Sequence, residues 1–237
     1  MKRLIVLYIV LCNSIAPMVS KTYMVSVGIA DYPGTKNDLN ISDNDAVTIK
    51  NLYEKNCHAD AVLLVNHAAK LSEVTRQMKA QFKKALENDT IILFFGGHGM
   101  PGAFVCYDHI LYYGTINKIM SSSRAKSKIV FADACYSGKA RKSNKRTNVR
   151  KDTNVMFFLS SRTNEVSKEN SGWKNGYFTA YLERGLRGGA DSNRDHKITA
   201  LELFQFVSAG VKKATLDTQH PVMWGNFDNE MPVMIWK

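Results

Sequence analysis

Five short apolar runs, separated by longer amphipathic segments, constrain the fold of this chain more than any other feature. The runs are rich in β-branched and aromatic residues and lie at 22–30, 59–66, 90–97, 127–134 and 154–161. Because they are apolar at successive positions, with no regular polar alternation, they predict strands of a sheet that is covered on both faces.

The intervening segments carry apolar residues at helical spacing. They predict helices over 42–56, 70–88, 114–123, 176–186 and 199–214, and the tail predicts a further strand at 232–236. Strands that alternate with helices form a mostly parallel sheet with right-handed crossovers. We therefore expect an α/β fold, a three-layer α/β/α sandwich. Residues 21–237 contain no Pro/Gly/Ser-rich linker and no internal repeat, which favours a single domain.

The first twenty residues differ from the rest of the chain. Lys2 and Arg3 precede an apolar stretch at 4–11, which is followed by small residues. This pattern is typical of a secretory signal peptide and too short for a membrane span, which needs about 20 apolar residues. We predict a signal peptide at 1–20, cut after Ala16 or Ser20, and an exported protein (periplasmic, cell-surface or secreted) with no stable membrane span. An uncleaved N-terminal anchor is the alternative.

Two of the apolar runs lead into reactive side chains. The run "IILFFGG" is followed by His98, and "KIVFADA" is followed by Cys135. Sites in open parallel sheets form beyond the carboxyl ends of the strands, and neighbouring strands lie about 4.8 Å apart. If these two strands are neighbours, an imidazole and a thiol meet at one edge. Each residue alone has a simpler interpretation, a surface turn for His98 and an inert core thiol for Cys135.

A thiol beside an imidazole is a nucleophile with its base. A free thiol, with a pKa of about 8.5, is only partly ionised at neutral pH, and a nearby imidazole increases its reactivity. The backbone amides of Gly99 and Cys135 are the predicted donors of an oxyanion hole. The sequence therefore predicts catalysis by the pair of His98 and Cys135.

These motifs resemble a known family. An apolar block before His-Gly, paired with an apolar block before Ala-Cys, marks the clan of caspases, metacaspases, clostripain-like and gingipain-like peptidases. The segment "DACYSG" resembles the metacaspase and bacterial caspase-like branch (peptidase C14, caspase p20 domain). The segments at 25–52, with "NDA" at 44–46, and at 155–188 also resemble this family, so the likeness spans roughly residues 22–236.

The resemblance implies a caspase-like sheet of about six strands. It also implies a cysteine endopeptidase that requires no cofactor, with His98 as general base and Cys135 as nucleophile. It divides the chain into a p20-like part at about 22–138, a basic linker at 139–151 and a p10-like part at about 152–237. The linker contains seven Lys and Arg residues and no acid. It is either a site of self-cleavage or a solvated loop.

Asp133 and Asp45 are the predicted determinants of specificity. Animal caspases carry Gln at the position of Asp133 and bind an acidic P1 residue, the residue before the cleaved bond. In metacaspases, the acid of the "NDA" element, which is Asp45 here, lies in the same wall of the P1 pocket. Two carboxylates repel an aspartate and pair with a basic side chain. The resemblance thus implies cleavage after Arg or Lys. Asp45 alternatively caps its own helix. One metacaspase feature is missing, since Gly96 replaces a serine.

The segment "DSNRDHKITALE" resembles a calcium-binding EF-hand loop. Its side chains occupy positions 1, 3, 5, 9 and 12, and a carbonyl occupies position 7. The predicted ligands are Asp191, Asn193, Asp195, the Lys197 carbonyl, Thr199 and Glu202. His196 replaces the glycine of position 6, so the alternative is an Asp/Asn-rich turn that caps the following helix.

The partners expected of this chain are peptide or protein substrates with a basic P1 residue. The net charge of +11 does not indicate nucleic-acid binding, because the basic linker has no interleaved aromatic side chain for stacking on bases. Two other functions remain open: a catalytically silent caspase-like binding or scaffolding domain, and a hydrolase or transferase of another fold that uses Cys135. The sequence does not predict an oligomeric state.

Overall fold

The computed structural model describes residues 20–134, 154–162 and 174–236. In this part of the chain the strands are β1 (Thr22–Gly28), β2 (Asp60–Val65), β3 (Thr90–Gly97), β4 (Gly99–Met100), β5 (Ala103–Val105), β6 (Ile110–Tyr112), β7 (Ser127–Ala134), β8 (Val155–Leu159), β9 (Lys197–Thr199), β10 (Val222–Gly225) and β11 (Pro232–Ile235). The helices are α1 (Ser42–Cys57), α2 (Leu71–Lys83), α3 (Tyr113–Ser121), α4 (Tyr177–Arg184), which continues as a π-helical turn, and α5 (Ala200–Ala214).

Six strands form the central sheet in the order β10-β8-β7-β3-β1-β2. Five of them are parallel, and β10 pairs with β8 in antiparallel orientation at one edge. The prediction of a mostly parallel sheet of about six strands is confirmed.

Helices cover both faces of this sheet. Alternate residues of β3 enter opposite cores: Leu93 and Phe95 pack in the core that includes α2 and α3, while Phe94 packs in the core that includes α1, α4 and α5. All three side chains are fully buried. Burial on both faces explains why this strand reads as a continuous apolar run. The predicted three-layer α/β/α sandwich is confirmed.

The antiparallel edge strand β10 was not predicted. It is only four residues long and half-buried, so its sequence lacks the long apolar run of the central strands. The predicted tail strand is present as β11, but it lies outside the central sheet and pairs with β9.

Two further features complete the description. Directly after His98, strands β4, β5 and β6 form a small antiparallel sheet. Within the described residues, the helices are all too short or too polar to cross a membrane.

Candidate active site

The two strands that lead to His98 and Cys135 are neighbours in the central sheet. Strand β3 pairs with β7 in parallel register, and the last pairs are Gly96 with Asp133 and Gly97 with Ala134. His98 directly follows the last β3 residue in the sequence. Cys135 directly follows Ala134, and it lies outside the described residues. The expected adjacency of the two strands is therefore confirmed.

Contacts with its backbone and with its ring fix His98, whose carbonyl accepts a hydrogen bond from the Val105 N–H at 2.9 Å. Its backbone N–H donates a hydrogen bond to Tyr32 Oη at 2.9 Å, and its ring lies against the Tyr32 ring with the centroids 4.7 Å apart. Its Nε2 lies 2.7 Å from the carbonyl oxygen of Asn37. Because a carbonyl only accepts, Nε2 carries the hydrogen, and Nδ1 of the neutral ring is left as the proton acceptor. The arrangement selects one tautomer and one orientation of the imidazole.

Tyr32 connects His98 to the small sheet that follows it. The Tyr32 hydroxyl donates to the carbonyl of Val105 in β5 at 2.9 Å while it accepts from His98. Burial raises the pKa of Tyr32 well above its usual range, so the phenol keeps the proton that it donates. Sequence reasoning missed Tyr32. Its position just beyond β1 was the available signal, because the carboxyl ends of parallel strands meet at one edge.

The glycines beside His98 have different roles. Gly97 has φ of +152°, and a Cβ there would lie only 2.6 Å from Tyr32 Oη, so both the backbone and the space require glycine. Gly99, the predicted oxyanion donor, begins β4 opposite Phe104. Gly96, where a metacaspase serine was expected, would place a Cβ 2.8 Å from the Ser42 carbonyl oxygen. The close approach of α1 therefore leaves no room for a serine at 96.

The two predicted pocket acids are both buried, with Asp45 2% and Asp133 7% exposed. Asp45 Oδ1 accepts from the Asn175 side chain at 2.8 Å and from the Gly176 N–H at 3.2 Å. Asp133 Oδ2 accepts from the N–H and the hydroxyl of Thr179, at 3.2 and 2.9 Å. Both carboxylates therefore bind the N-terminal end of α4.

Gly176 shows how close the two acids lie to one another. A Cβ at this residue would be 2.6 Å from Asp133 Oδ2 and 3.4 Å from Asp45 Oδ2. The structure thus brings together two acids that are far apart in sequence. Asp45 lies in the first turn of α1, whose N-cap residue is Ile41, and its Oδ1 binds the start of α4. Sequence reasoning missed Asn175, Gly176 and Thr179, although "NG" before a predicted helix was a visible signal.

The predicted calcium loop forms a turn that leads into α5. The N–H of Asp195 donates to Asp191 Oδ1 and Asn193 Oδ1, and the N–H of His196 donates to Asp191 Oδ2. His196 has φ of +64°, the left-handed conformation expected at the glycine position of an EF-hand loop. The side-chain carboxylates therefore bind backbone amides within the loop.

Glu202, the predicted ligand at position 12, is a helix cap in this structure. Its Oε1 accepts from Ser192, and its Oε2 forms a capping box with Thr199. Burial opposes ionisation of Glu202, but the hydrogen bonds from Thr199 and Ser192 outweigh it and lower the pKa. Across the described residues, no three His, Cys, Asp or Glu side chains are grouped to hold a metal ion. Calcium binding stays a prediction.

Comparison with known families places the chain in a defined class. Residues 23–231 match the family described as the caspase domain of peptidase C14. The chain therefore belongs to the caspase family of cysteine peptidases. No curated protein sequence matches the chain.

Solved structures with the same fold include a protein from Geobacter sulfurreducens and a caspase from Spodoptera frugiperda. Protein GSU0716 from Geobacter sulfurreducens is 15% identical with a TM-score of 0.66, and the match covers 92% of this chain and 100% of that protein. Caspase-1 from Spodoptera frugiperda is 14% identical with a TM-score of 0.68, covering 92% of both chains. The structure described as pro-sf-caspase-1 is 11% identical with a TM-score of 0.65, covering 90% of both. At these identities the likeness concerns the fold alone.

Proposed function

We propose that this protein is an active cysteine endopeptidase that cleaves peptide bonds after Arg or Lys. Membership of the caspase family supports the peptidase reaction. The observation that carries the specificity is the convergence of two buried carboxylates, Asp45 and Asp133, at the sheet edge where β3 leads to His98.

The proposed reaction follows from the orientation of His98. With Nε2–H donated to the Asn37 carbonyl, Nδ1 takes the proton of the Cys135 thiol. The thiolate attacks the substrate carbonyl carbon, and the amides of Gly99 and Cys135 stabilise the oxyanion. The imidazolium then gives its proton to the leaving amine, and a thioester remains on Cys135. Water, deprotonated by His98, cleaves the thioester and restores the thiol.

The proposed specificity follows from charge. Asn175, Gly176 and Thr179, which donate hydrogen bonds to these carboxylates, are neutral groups. A guanidinium or ammonium group that reaches this site gains charge-assisted hydrogen bonds, each about 1.5–3 kcal/mol. An aspartate side chain would instead be repelled.

Cleavage of a peptide library that varies the P1 residue tests this proposal. The full chain and its Cys135→Ala variant are compared, and we expect cleavage after Arg and Lys by the wild type only. Cleavage after Asp, with Arg and Lys peptides left intact, would refute the specificity. A folded wild type that cleaves no peptide and takes up no active-site label would favour a catalytically silent binding domain.

Single substitutions distinguish a role of the two acids in the P1 pocket from a role in general stability. Asp133→Asn and Asp45→Asn keep the shape of the side chains and remove one charge each. We expect each to lower kcat/KM for Arg and Lys peptides about ten- to hundredfold, since one charge-assisted bond is lost. Asp89→Asn is the matched control. Asp89 is equally buried and accepts two backbone N–H groups, from Lys21 and Leu86, near the amino ends of the strands. Equal losses in all three variants would contradict the pocket assignment.

Self-cleavage in the basic linker is a second part of the proposal. The segment 139–151, which lies outside the described residues, offers seven Lys and Arg residues to an enzyme of this specificity. Intact-mass analysis of the wild type beside Cys135→Ala is the test. We expect a cut in the wild type alone, and identical uncut masses would remove self-processing.

Calcium binding and export are proposed from the sequence. A calcium titration followed by melting temperature and peptidase activity tests the loop at 191–202, and the absence of any change in both would refute it. Export predicts that protein recovered outside the cytoplasm begins after residue 16 or 20. N-terminal sequencing measures this directly, and retention of Met1 in all recovered protein would contradict it.

A further inference from the structure

Ser160 lies immediately after β8 and is fully buried. Its hydroxyl accepts a hydrogen bond from the N–H of Ala134 at 3.1 Å and donates one to the carbonyl of the same residue, also at 3.1 Å. One side chain thus binds both backbone polar groups of the last residue before Cys135.

The backbone pairing of β7 with β8 ends before Ala134, and the Ser160 hydroxyl supplies the hydrogen bonds to Ala134 instead. The register of β7 with β8 stops at Ala132 and Leu159, and one further backbone bond runs from the Ser160 N–H to the Ala132 carbonyl at 2.9 Å. On its other side, β7 remains paired with β3 through Ala134 and Gly97. Ala134 is therefore held from one side by a strand and from the other by a side chain.

A second buried side chain fixes Ser160 in turn. Gln219 is also fully buried, and its Nε2 donates to the Ser160 carbonyl at 3.0 Å. The Gln219 backbone N–H donates to Thr215 Oγ1 at 3.2 Å, just after the end of α5. This chain of hydrogen bonds connects the end of α5 to the end of β7.

The Ala134 carbonyl belongs to the same planar peptide unit as the N–H of Cys135. A hydrogen bond that fixes the direction of the carbonyl therefore fixes the direction of this N–H. We infer that Ser160 is a positioning residue that orients the Ala134–Cys135 peptide unit, and with it the amide that donates to the oxyanion. The catalytic part of this inference rests on the proposed function.

The test compares Ser160→Ala with the matched control Ser208→Ala in the full chain. Ser208 is also buried, and its hydroxyl has no hydrogen-bond partner among the described residues. Each variant loses one buried hydroxyl, but only Ser160→Ala releases Ala134. We expect kcat to fall about ten- to hundredfold in Ser160→Ala, with KM within about twofold of the wild type. The control keeps both constants.

Alkylation of the Cys135 thiol by iodoacetamide separates positioning from loss of structure. This reaction needs the thiolate but no oxyanion hole, so its rate in Ser160→Ala should stay within about twofold of the wild type. A kcat equal to that of Ser208→Ala would overturn the inference. Equal losses of hydrolysis and alkylation would also overturn it, because they indicate a general disturbance of the site.

Two further measurements keep the inference testable on its own. If Ser160→Ala does not fold, Gln219→Met removes the donor to the Ser160 carbonyl and keeps the Ser160 hydroxyl, and an unchanged kcat would overturn the inference. If the wild type cleaves no peptide, the proposed function fails separately. Hydrogen exchange then decides: the Ala134 amide should exchange about tenfold faster in Ser160→Ala than in the wild type, and an equal rate refutes the structural step.

Discussion

The substitution Tyr32→Phe removes one oxygen atom from the support of His98 and leaves the aromatic ring in place. Two hydrogen bonds are lost, one from the His98 N–H and one to the Val105 carbonyl. Each contributes about 0.5–1.5 kcal/mol, so we expect the free energy of unfolding to fall by about 2 kcal/mol. For a domain of this size, that corresponds to a fall of about 4–8 °C in melting temperature.

The same substitution should affect catalysis beyond its effect on stability. Without the bond from its N–H to Tyr32, His98 keeps the contact of its ring with the Asn37 carbonyl and the bond from the Val105 N–H to its own carbonyl, but the imidazole is less precisely oriented. We expect kcat for an Arg-P1 peptide to fall about tenfold, because small displacements of a catalytic group have large effects on rate. Steady-state kinetics at a temperature where both proteins are folded measures this.

Tyr53→Phe is the matched control for this experiment. The Tyr53 hydroxyl donates to the Val233 carbonyl at 2.9 Å, within the core that includes α1, α4 and α5. Its loss should lower the free energy of unfolding by about 1 kcal/mol and leave kcat unchanged. A kcat in Tyr32→Phe equal to that in Tyr53→Phe would refute the assignment of Tyr32 as a support of His98.

The pH dependence provides a further check on Tyr32. Because burial raises the pKa of Tyr32 in the folded state, its contribution to stability is complete below the unfolded value of about 10 and is lost only as pH rises above it. The difference in melting temperature between the wild type and Tyr32→Phe should therefore be constant from pH 6 to 9. A difference that changes near neutral pH would contradict this explanation.

Three further predictions concern the site and its surroundings. Gly97→Ala should lower the free energy of unfolding by more than about 2 kcal/mol, since it combines a strained φ with a clash. Gly114→Ala places a Cβ in open space and should raise the free energy of unfolding by about 0.5–1 kcal/mol. Chemical denaturation measures both, and a similar effect at the two positions would contradict this explanation. Glu202→Gln can still complete the capping box but loses the charge, and it should lower the free energy of unfolding by about 0.3–1 kcal/mol at neutral pH. Because the folded pKa of Glu202 is lowered, this difference is present above pH of about 4.3 and should disappear as pH falls through the folded value; a constant difference down to pH 2 would refute a contribution of the charge. Burial, and to a lesser extent the charge of Asp108, raises the pKa of Cys106 to about 12. Iodoacetamide at pH 8 should therefore label Cys135 and spare Cys106, which peptide mass spectrometry measures. Rapid labelling of Cys106 would contradict its burial.

The fold was predictable because the pattern that identifies each central strand lies within the sequence of that strand. Strands buried on both faces must be apolar at successive positions, as β3 is, and such runs stand out in a sequence. The edge strand β10 was not predictable, because half-burial requires only a few apolar residues. Its partner β8 is distant in the sequence, so local pattern carries no sign of the pairing.

The candidate site was predictable only where a sequence motif marks its residues. His98 stands between glycines after an apolar run, and Asp133 lies near the end of another apolar run, two residues before Cys135. Tyr32, Thr179 and Ser160 could not, because each acts through a hydrogen bond to a residue 26 or more positions away. Single tyrosines, threonines and serines are common, and only the folded chain distinguishes these three from others of their type.

If Asp133 binds the substrate as proposed, its two roles limit how substrate preference can change in evolution. Its carboxylate binds the N-terminal turn of α4 through Thr179, and in the proposed function it also receives the substrate's basic side chain. A mutation toward another P1 preference at this position must also provide α4 with a new cap. Drift in specificity is therefore coupled to folding, and we expect substitutions at Asp133 in related chains to be accompanied by changes at Thr179.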